Sequence, residues 1–198
     1  MLVRKYFQEI FSIAIKEKMK FGIIGGGING LFIAWRLSAS GHEVDIYESS
    51  KPLQQTSSAS SKLLHGGIRY LEQGHFRLVR QSLIDRSWWL KNAPGLCEPI
   101  EILMPIYKKS RRSEIKLFIG AKIYELLAGR YSLGKSLWRS KEETISKFPD
   151  IKRTNLKGSV SFFDAQMNER RLGEWVLNNA KESGIKVFEN TEIKKFTT

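Results

Sequence analysis

The run Gly25-Gly26-Gly27-Ile28-Asn29-Gly30 restricts this chain more than any other feature. An apolar stretch, Phe21 to Ile24, precedes it, and Leu31 to Ala39 follows with helical periodicity. Gly41 stops that helix, and Glu43 to Glu48 alternates as a strand, with Val44 and Ile46 against Asp45 and Tyr47. A strand, a G-x-G-x-x-G turn, a helix and a second strand ending in an acid form the βαβ unit that holds a dinucleotide. Gly25 allows the tight turn, and Gly27 has no side chain to keep a pyrophosphate from the helix N-terminus. Asn29 stands in the same turn, and Gly30 lets helix and strand pack closely. Glu48, eighteen residues past Gly30, is placed to accept hydrogen bonds from a ribose. A carboxylate there disfavours a 2′-phosphate, which leaves NAD or FAD, and the turn does not choose between them.

The rest of the chain reads as α/β. Phe76 to Asn92 places Phe76, Val79, Leu83 and Leu90 on one helical face, with Pro94 beyond its end. Ile100 to Tyr107 reads as a strand whose Pro105 argues for a sheet edge or an irregular end. Glu114 to Ala128 is helical, and Ser140 and Glu143 have the spacing of a capping box. Gly158 to Phe163 and Ile185 to Phe188 read as strands on either side of a helix, Glu169 to Ser183, which Gly184 stops. With 41% hydrophobic and 11% aromatic residues among 198, the chain can bury a core and is not disordered over most of its length. The longest apolar runs, such as Ile100 to Ile106, fall far short of the ~20 residues of a spanning helix. A single cysteine, Cys97, excludes an internal disulfide framework and a multi-cysteine metal cluster, and it fits a reducing compartment; no metal site is expected.

Charge narrows the partners. The chain carries 33 Lys and Arg against 20 Asp and Glu, a net +13. Lys108 to Arg153 holds thirteen basic and five acidic residues, +8 in one stretch. Such a balance attracts an anionic partner. The stretch has no zinc-ligand spacing, no basic zipper and no RNA-binding sheet motif, so nucleic acid is set aside. Ordinary solvated lysine and arginine stems over apolar neighbours also account for it. Met1 to Lys18, with Val3, Phe7, Ile10 and Ala14 at helical spacing among basic residues, has two readings. It is a basic amphipathic helix, or translation starts at Met19.

The string Thr56-Ser57-Ser58-Ala59-Ser60-Ser61-Lys62-Leu63-Leu64-His65-Gly66-Gly67-Ile68-Arg69-Tyr70-Leu71-Glu72 is far more specific than the glycine turn. Here the chain strongly resembles the FAD-dependent glycerol-3-phosphate dehydrogenases of the D-amino-acid-oxidase-like flavoprotein superfamily. The resemblance continues through Phe76-Arg77-Leu78-Val79-Arg80, Ala93-Pro94, Leu126 to Leu133, and Asp164 with Arg171-Leu172. It implies an incomplete Rossmann-like FAD-binding domain and the beginning of a mixed α+β substrate domain. Residues 19–95 and 155–198 are expected in the flavin domain and 96–154 in an inserted substrate- or membrane-facing segment, after an extension over 1–18. FAD is the implied cofactor. Besides Gly25, Gly27, Asn29, Gly30 and Glu48, the implied flavin contacts are Thr56, Ser57, Ser58, Ser60, Ser61, Lys62, Leu64, His65 and Gly66. Small hydroxyl residues and glycines suit that role, because their backbone N–H groups approach a pyrophosphate closely.

Arg69 and Tyr70 are the implied substrate residues. An arginine fork donates two parallel hydrogen bonds to the oxygens of a phosphate monoester. The reaction implied is oxidation of sn-glycerol 3-phosphate to dihydroxyacetone phosphate, with hydride transfer to FAD. Electrons then pass to a membrane quinone or to oxygen. A quinone acceptor implies docking on an anionic bilayer by the basic stretch, hence a cytoplasmic protein peripheral on the inner face of the membrane. Family members are longer, so the chain is expected to be their N-terminal portion, with a C-terminal portion as partner and the catalytic base beyond Thr198. Gln166, Met167 and Asn168-Glu169 depart from the family's pattern. Three other readings stay open: a different FAD-dependent oxidoreductase or oxidase of the superfamily, a non-catalytic basic binding fragment, and an NAD-dependent Rossmann enzyme, which shares Gly25 to Glu48 but has no use for the serine-rich His-Gly-Gly-Arg string.

Overall fold

The computed structural model describes residues 17–54 and 61–195. Nearly all of the expected N-terminal amphipathic helix lies outside the described residues, as do Thr56, Ser57, Ser58 and Ser60. In chain order the elements are β1 (Lys20–Ile24), α1 (Ile28–Ala39), β2 (Glu43–Tyr47) and β3 (Leu63–Leu64). A 3₁₀ helix (Ile68–Gln73) and α2 (Phe76–Asn92) follow, then β4 (Cys97–Tyr107), α3 (Glu114–Ala128) and β5 (Leu137–Ser140). The last are α4 (Lys141–Lys147), β6 (Leu156–Met167), α5 (Glu169–Glu182) and β7 (Lys186–Phe188). They fall into two compact units, one on either side of junctions at Ser61/Lys62 and Met167/Asn168.

The first unit is a parallel sheet in the order β1-β2-β7. Ile23 pairs with Ile46, and Ile46 in turn with Val187. Parallel neighbours need a crossover, and α1 supplies the one from β1 to β2. Leu31, Ala34 and Trp35 of α1 are buried, as are Leu172, Val176 and Ala180 of α5. Trp35 meets Trp175 edge-on at 5.7 Å between ring centres. The sheet and its glycine turn are the incomplete Rossmann-like arrangement the sequence predicts.

The second unit is built on β6. β4 pairs antiparallel with it along its whole length, from Cys97 opposite Met167 to Tyr107 opposite Leu156. β3 and β5 share its other edge. Among the described residues β4 pairs with β6 alone, so Pro105, opposite Ser159, sits on the edge strand its chemistry requires. Both strands run longer than their apolar cores indicate, because the ladder continues through Glu98 and Pro99 against Gln166 and Ala165. Val79 and Leu83 of α2, Ala121 and Tyr124 of α3, and Ile106, Val160 and Phe162 of the sheet form one core. The expected capping box is present, with Ser140 Oγ accepting from Glu143 N at 3.2 Å and Glu143 Oε2 from Ser140 N at 2.7 Å.

This packing divides the chain differently from the sequence reading. Residues 62–95 and 155–167 belong with 96–154, because β6 is the partner of β4 and α2 closes the same core. Within that core lies an ion pair, Arg86 Nη1 to Asp164 Oδ1 at 2.9 Å, with side chains 2% and 1% exposed.

A second ionic cluster spans the sheet. Glu101 of β4 accepts from Arg139 of β5 at 2.6 Å and from Lys147 of α4. Burial opposes its charge, but these hydrogen bonds outweigh that and hold its carboxyl at about 2, against an ordinary 4.5. A carboxylate held low stabilises the fold above pH about 4.5, and that contribution disappears as the pH falls towards 2. Glu101→Gln should therefore be about 1–2 kcal/mol less stable than the parent to urea at pH 7, a deficit that shrinks to under half at pH 3. An equal difference at both pH values would remove Glu101 from the acid limb.

Candidate functional site

In the first unit the turn is set by Gly25, at φ +102°, whose N–H donates to the Tyr47 carbonyl at 2.8 Å. Gly27 is the N-cap of α1 and has no side chain of its own to cap it, and the first helical turn carries no acid. That leaves the positive end of the helix with the polarity an anion requires. A Cβ on Gly30 would stand 2.1 Å from the Gly25 carbonyl oxygen, so helix and turn touch backbone to backbone. Asn29 is exposed beside them.

Glu48 is buried and already engaged. Its Oε2 accepts from the Gly26 N–H at 2.7 Å. Its Oε1 accepts from Ser50 N at 2.9 Å, Ser50 Oγ at 3.1 Å and Ser49 Oγ at 3.2 Å. The Ser50 and Gly26 backbone bonds lead in drawing its carboxyl below the ordinary range, so it is ionised at neutral pH. By its position Glu48 is a candidate ribose acceptor, and in the fold it also clamps the glycine turn. Oε2, with a single donor among the described residues, keeps an acceptor site for a hydroxyl. An open glycine turn, a helix whose N-cap is a glycine and a carboxylate with one acceptor position not taken among the described residues fit the ADP half of FAD.

In the second unit the specific string is held by β6. Ser61, which ends a segment of the first unit, is exposed; Lys62, at φ +57°, accepts from Met167 N through its carbonyl at 2.8 Å. Leu64 pairs with Ala165, and His65 is exposed. The Gly66 N–H donates to Asp164 Oδ1 at 3.3 Å. Gly67 is left-handed and starts the 3₁₀ helix, which carries Arg69 and Tyr70 on its exposed side.

A cavity of about 310 Å³ lies against that helix, with Ile68, Leu71, Phe76 and Leu117 for its apolar wall and Arg69, Arg112 and Lys116 for its cations. Glu72 takes two bonds from Arg112, at 2.6 and 2.7 Å, and that pairing leads in holding its carboxyl at about 2. Gly25, Gly27, Gly30 and Glu48 thus stand together in one unit, and Leu64, His65, Gly66, Arg69 and Tyr70 in the other.

The sequence reading did not assign Arg86, Tyr124 or Asp164 to the site. Tyr124 Oη donates to Asp164 Oδ2 at 2.9 Å, and burial, with the charge of Asp164, pushes its phenol far above the ordinary range. The signal was a lone acid inside the apolar run Val160 to Ala165, which needs a buried cation from elsewhere. The two remaining histidines have places in the fold: His42 is buried and accepts from Met19 N at 3.3 Å, and His75 is the N-cap of α2. Burial pushes the Cys97 thiol up to about 11, which keeps it protonated and inert. No group of His, Cys, Asp and Glu among the described residues is arranged to hold a metal.

A parallel sheet, a G-x-G-x-x-G turn and a clamped acid define a dinucleotide-binding oxidoreductase fold, and the comparisons specify it. The family model described as FAD dependent oxidoreductase matches residues 20–198, and the chain belongs to that family. It is 35% identical over 175 residues to the aerobic glycerol-3-phosphate dehydrogenase of Staphylococcus saprophyticus, covering 88% of this chain and 31% of that one. Against the mitochondrial glycerol-3-phosphate dehydrogenase of Schizosaccharomyces pombe it is 36% identical over 180 residues, 87% of this chain and 27% of the other. The chain therefore spans under a third of the length of these relatives. Among solved structures, the Bacillus halodurans glycerol-3-phosphate dehydrogenase complexed with FAD shares the fold at TM-score 0.65 and 22% identity, covering 98% of this chain and 30% of that one. The L-alpha-glycerophosphate oxidase of Mycoplasma pneumoniae with FAD bound does so at 0.69 and 19%, covering 89% and 45%.

Glu48→Ala removes both the turn clamp and the vacant acceptor. FAD affinity, titrated by flavin fluorescence, should fall by ~1.5–3 kcal/mol, the value of a hydrogen bond to a charged group. Unchanged affinity would take Glu48 off the nucleotide.

Proposed function

We propose that this chain supplies the flavin-binding and phosphate-binding part of an enzyme that oxidises sn-glycerol 3-phosphate to dihydroxyacetone phosphate. The observation that carries the reading is Arg69, exposed on a 3₁₀ helix directly after Gly66-Gly67, beside a cavity with two further cations. FAD, when bound, supplies the two-electron acceptor for the secondary alcohol. What the chain's own residues do is bind and orient. Gly25, Gly27 and Gly30 admit a pyrophosphate to α1, and Glu48 holds a ribose hydroxyl. Asn29, Ser61, Lys62, Leu64, His65 and Gly66, with the serines and threonine from Thr56 to Ser60, complete the flavin contacts. The Arg69 fork takes the substrate phosphate, and Tyr70 stands next to it. Arg69→Lys keeps the charge and loses the fork, so glycerol 3-phosphate should bind about tenfold more weakly while flavin content stays constant. Equal affinity in both forms, read from the perturbed flavin spectrum, would take Arg69 off the phosphate.

The electron acceptor in this reading is a membrane quinone, reached by peripheral docking on an anionic bilayer. Ile115, Ile119 and Leu126 of α3 are 72%, 51% and 78% exposed, on the side of the helix opposite buried Ala121, Tyr124 and Ala128. Arg111, Arg112, Lys116 and Lys122 neighbour that stripe in sequence, Arg112 and Lys116 paired with Glu72 and Lys122 with Glu125. An apolar stripe edged by cations is the pattern of a helix that rests in a lipid interface. None of the described helices is long and apolar enough to cross a membrane. The chain should sediment with phosphatidylglycerol vesicles and not with phosphatidylcholine ones, and Ile119→Glu should abolish the difference. Equal sedimentation of variant and parent would take α3 off the bilayer.

A further inference from the structure

We infer that Arg86, Asp164 and Tyr124 are positioning residues that fix where the loop bearing Arg69 stands. The inference rests on the reading of Arg69 as the phosphate-binding residue. The three side chains come from α2, β6 and α3 and are buried, at 2%, 1% and 2% exposure. Asp164 Oδ1 accepts from Arg86 Nη1 at 2.9 Å and from Gly66 N at 3.3 Å, and Oδ2 accepts from Tyr124 Oη at 2.9 Å. Arg86 also donates to two carbonyls, Phe163 at 3.2 Å and Tyr131 at 2.9 Å. Each of these protein groups thereby fixes Asp164, and Asp164 fixes one backbone N–H of the loop.

Stability alone does not call for this arrangement. Replacing a buried ion pair by apolar side chains of similar volume is often neutral or stabilising, whereas the pair defines a geometry that an apolar core does not. The geometry here bears on one residue. A Cβ on Gly66 would stand 2.4 Å from Tyr124 Oη and 2.6 Å from Leu83, so the loop backbone lies directly on the phenol. Gly67, at φ +72°, then turns the chain into the 3₁₀ helix, and Arg69 follows three residues after the anchored N–H. So short a tether passes a displacement at Gly66 on to the Arg69 guanidinium with little loss. Misplacing a binding group by an ångström is enough to weaken a phosphate contact. None of the three reaches the cavity wall described above, so they act through the loop and not on the substrate.

The test uses the 198-residue chain as Tyr124→Phe, as Asp164→Asn, and as the double replacement Arg86→Met with Asp164→Leu. Hydrogen exchange is followed over 64–74, with 97–107 as the reference. Exchange in 64–74 should be about tenfold faster in Tyr124→Phe, one lost bond to a charged acceptor, while 97–107 is unchanged. The double variant leaves the Tyr124 hydroxyl and the Gly66 N–H without an acceptor, so it should melt below the parent and show the same fast loop while 97–107 keeps the parental rate, a split that a purely structural role does not produce. Glycerol 3-phosphate affinity of the FAD-loaded chain should fall in step with the loop, and FAD affinity should hold. If Asp164→Asn does not fold, Tyr124→Phe decides. Equal acceleration in 64–74 and 97–107, or a loop that exchanges at the parental rate in both folded variants, overturns the inference. If the parent binds no glycerol 3-phosphate, the proposed function fails, and the exchange data still show whether the three residues hold the loop.

Discussion

A carboxylate with 1% of its surface exposed stands in a protein core only if other groups replace its water. Asp164 meets that requirement with a guanidinium, a phenol and a backbone N–H, and the second unit is organised by how those groups arrive. Arg86 ties α2 to the middle of β6, and Tyr124 ties α3 to it while also packing edge-on against Phe162 at 5.5 Å. The polar network and the apolar core are therefore one construction. Removing either end of the ion pair strands the other charge, which is the costly way to break it.

The two units handle their glycines by related means. In the first, Gly30 brings helix backbone against turn backbone, and an acid at the end of β2 reaches across to Gly26. In the second, Gly66 brings loop backbone against a phenol, and an acid within β6 takes its N–H. In both, a carboxylate on a strand or directly after one holds a loop that regular pairing does not hold. A carboxylate suits the task because it accepts several bonds at once and its charge strengthens each.

Much of this was legible in the residues. Turn glycines, alternation in Glu43 to Glu48, the capping spacing at Ser140 and the edge position of Pro105 are local signals, and each is written in a few neighbouring positions. The domain boundaries were not legible, because pairing of β4 with β6 joins residues some sixty positions apart and leaves no local trace. The partners of Asp164 were hidden for the same reason: Arg86 and Tyr124 lie 78 and 40 positions away in the chain. Glu48 was assigned its ribose role from position alone, and its grip on Gly26 follows only once β2 and the turn are folded against each other.

That grip has a consequence for how fast and how tightly the turn can act. The bonds from Gly26, Ser49 and Ser50 to Glu48 are made by the chain's own atoms, so the turn is ordered when the unit folds. A rigid receptor loses little conformational entropy on association, and fewer encounters fail while a loop searches for its shape. Glycines are the residues that lose most freedom when fixed, and here that loss is met by folding. The most flexible hexapeptide in the sequence becomes a mould set before anything is pressed into it.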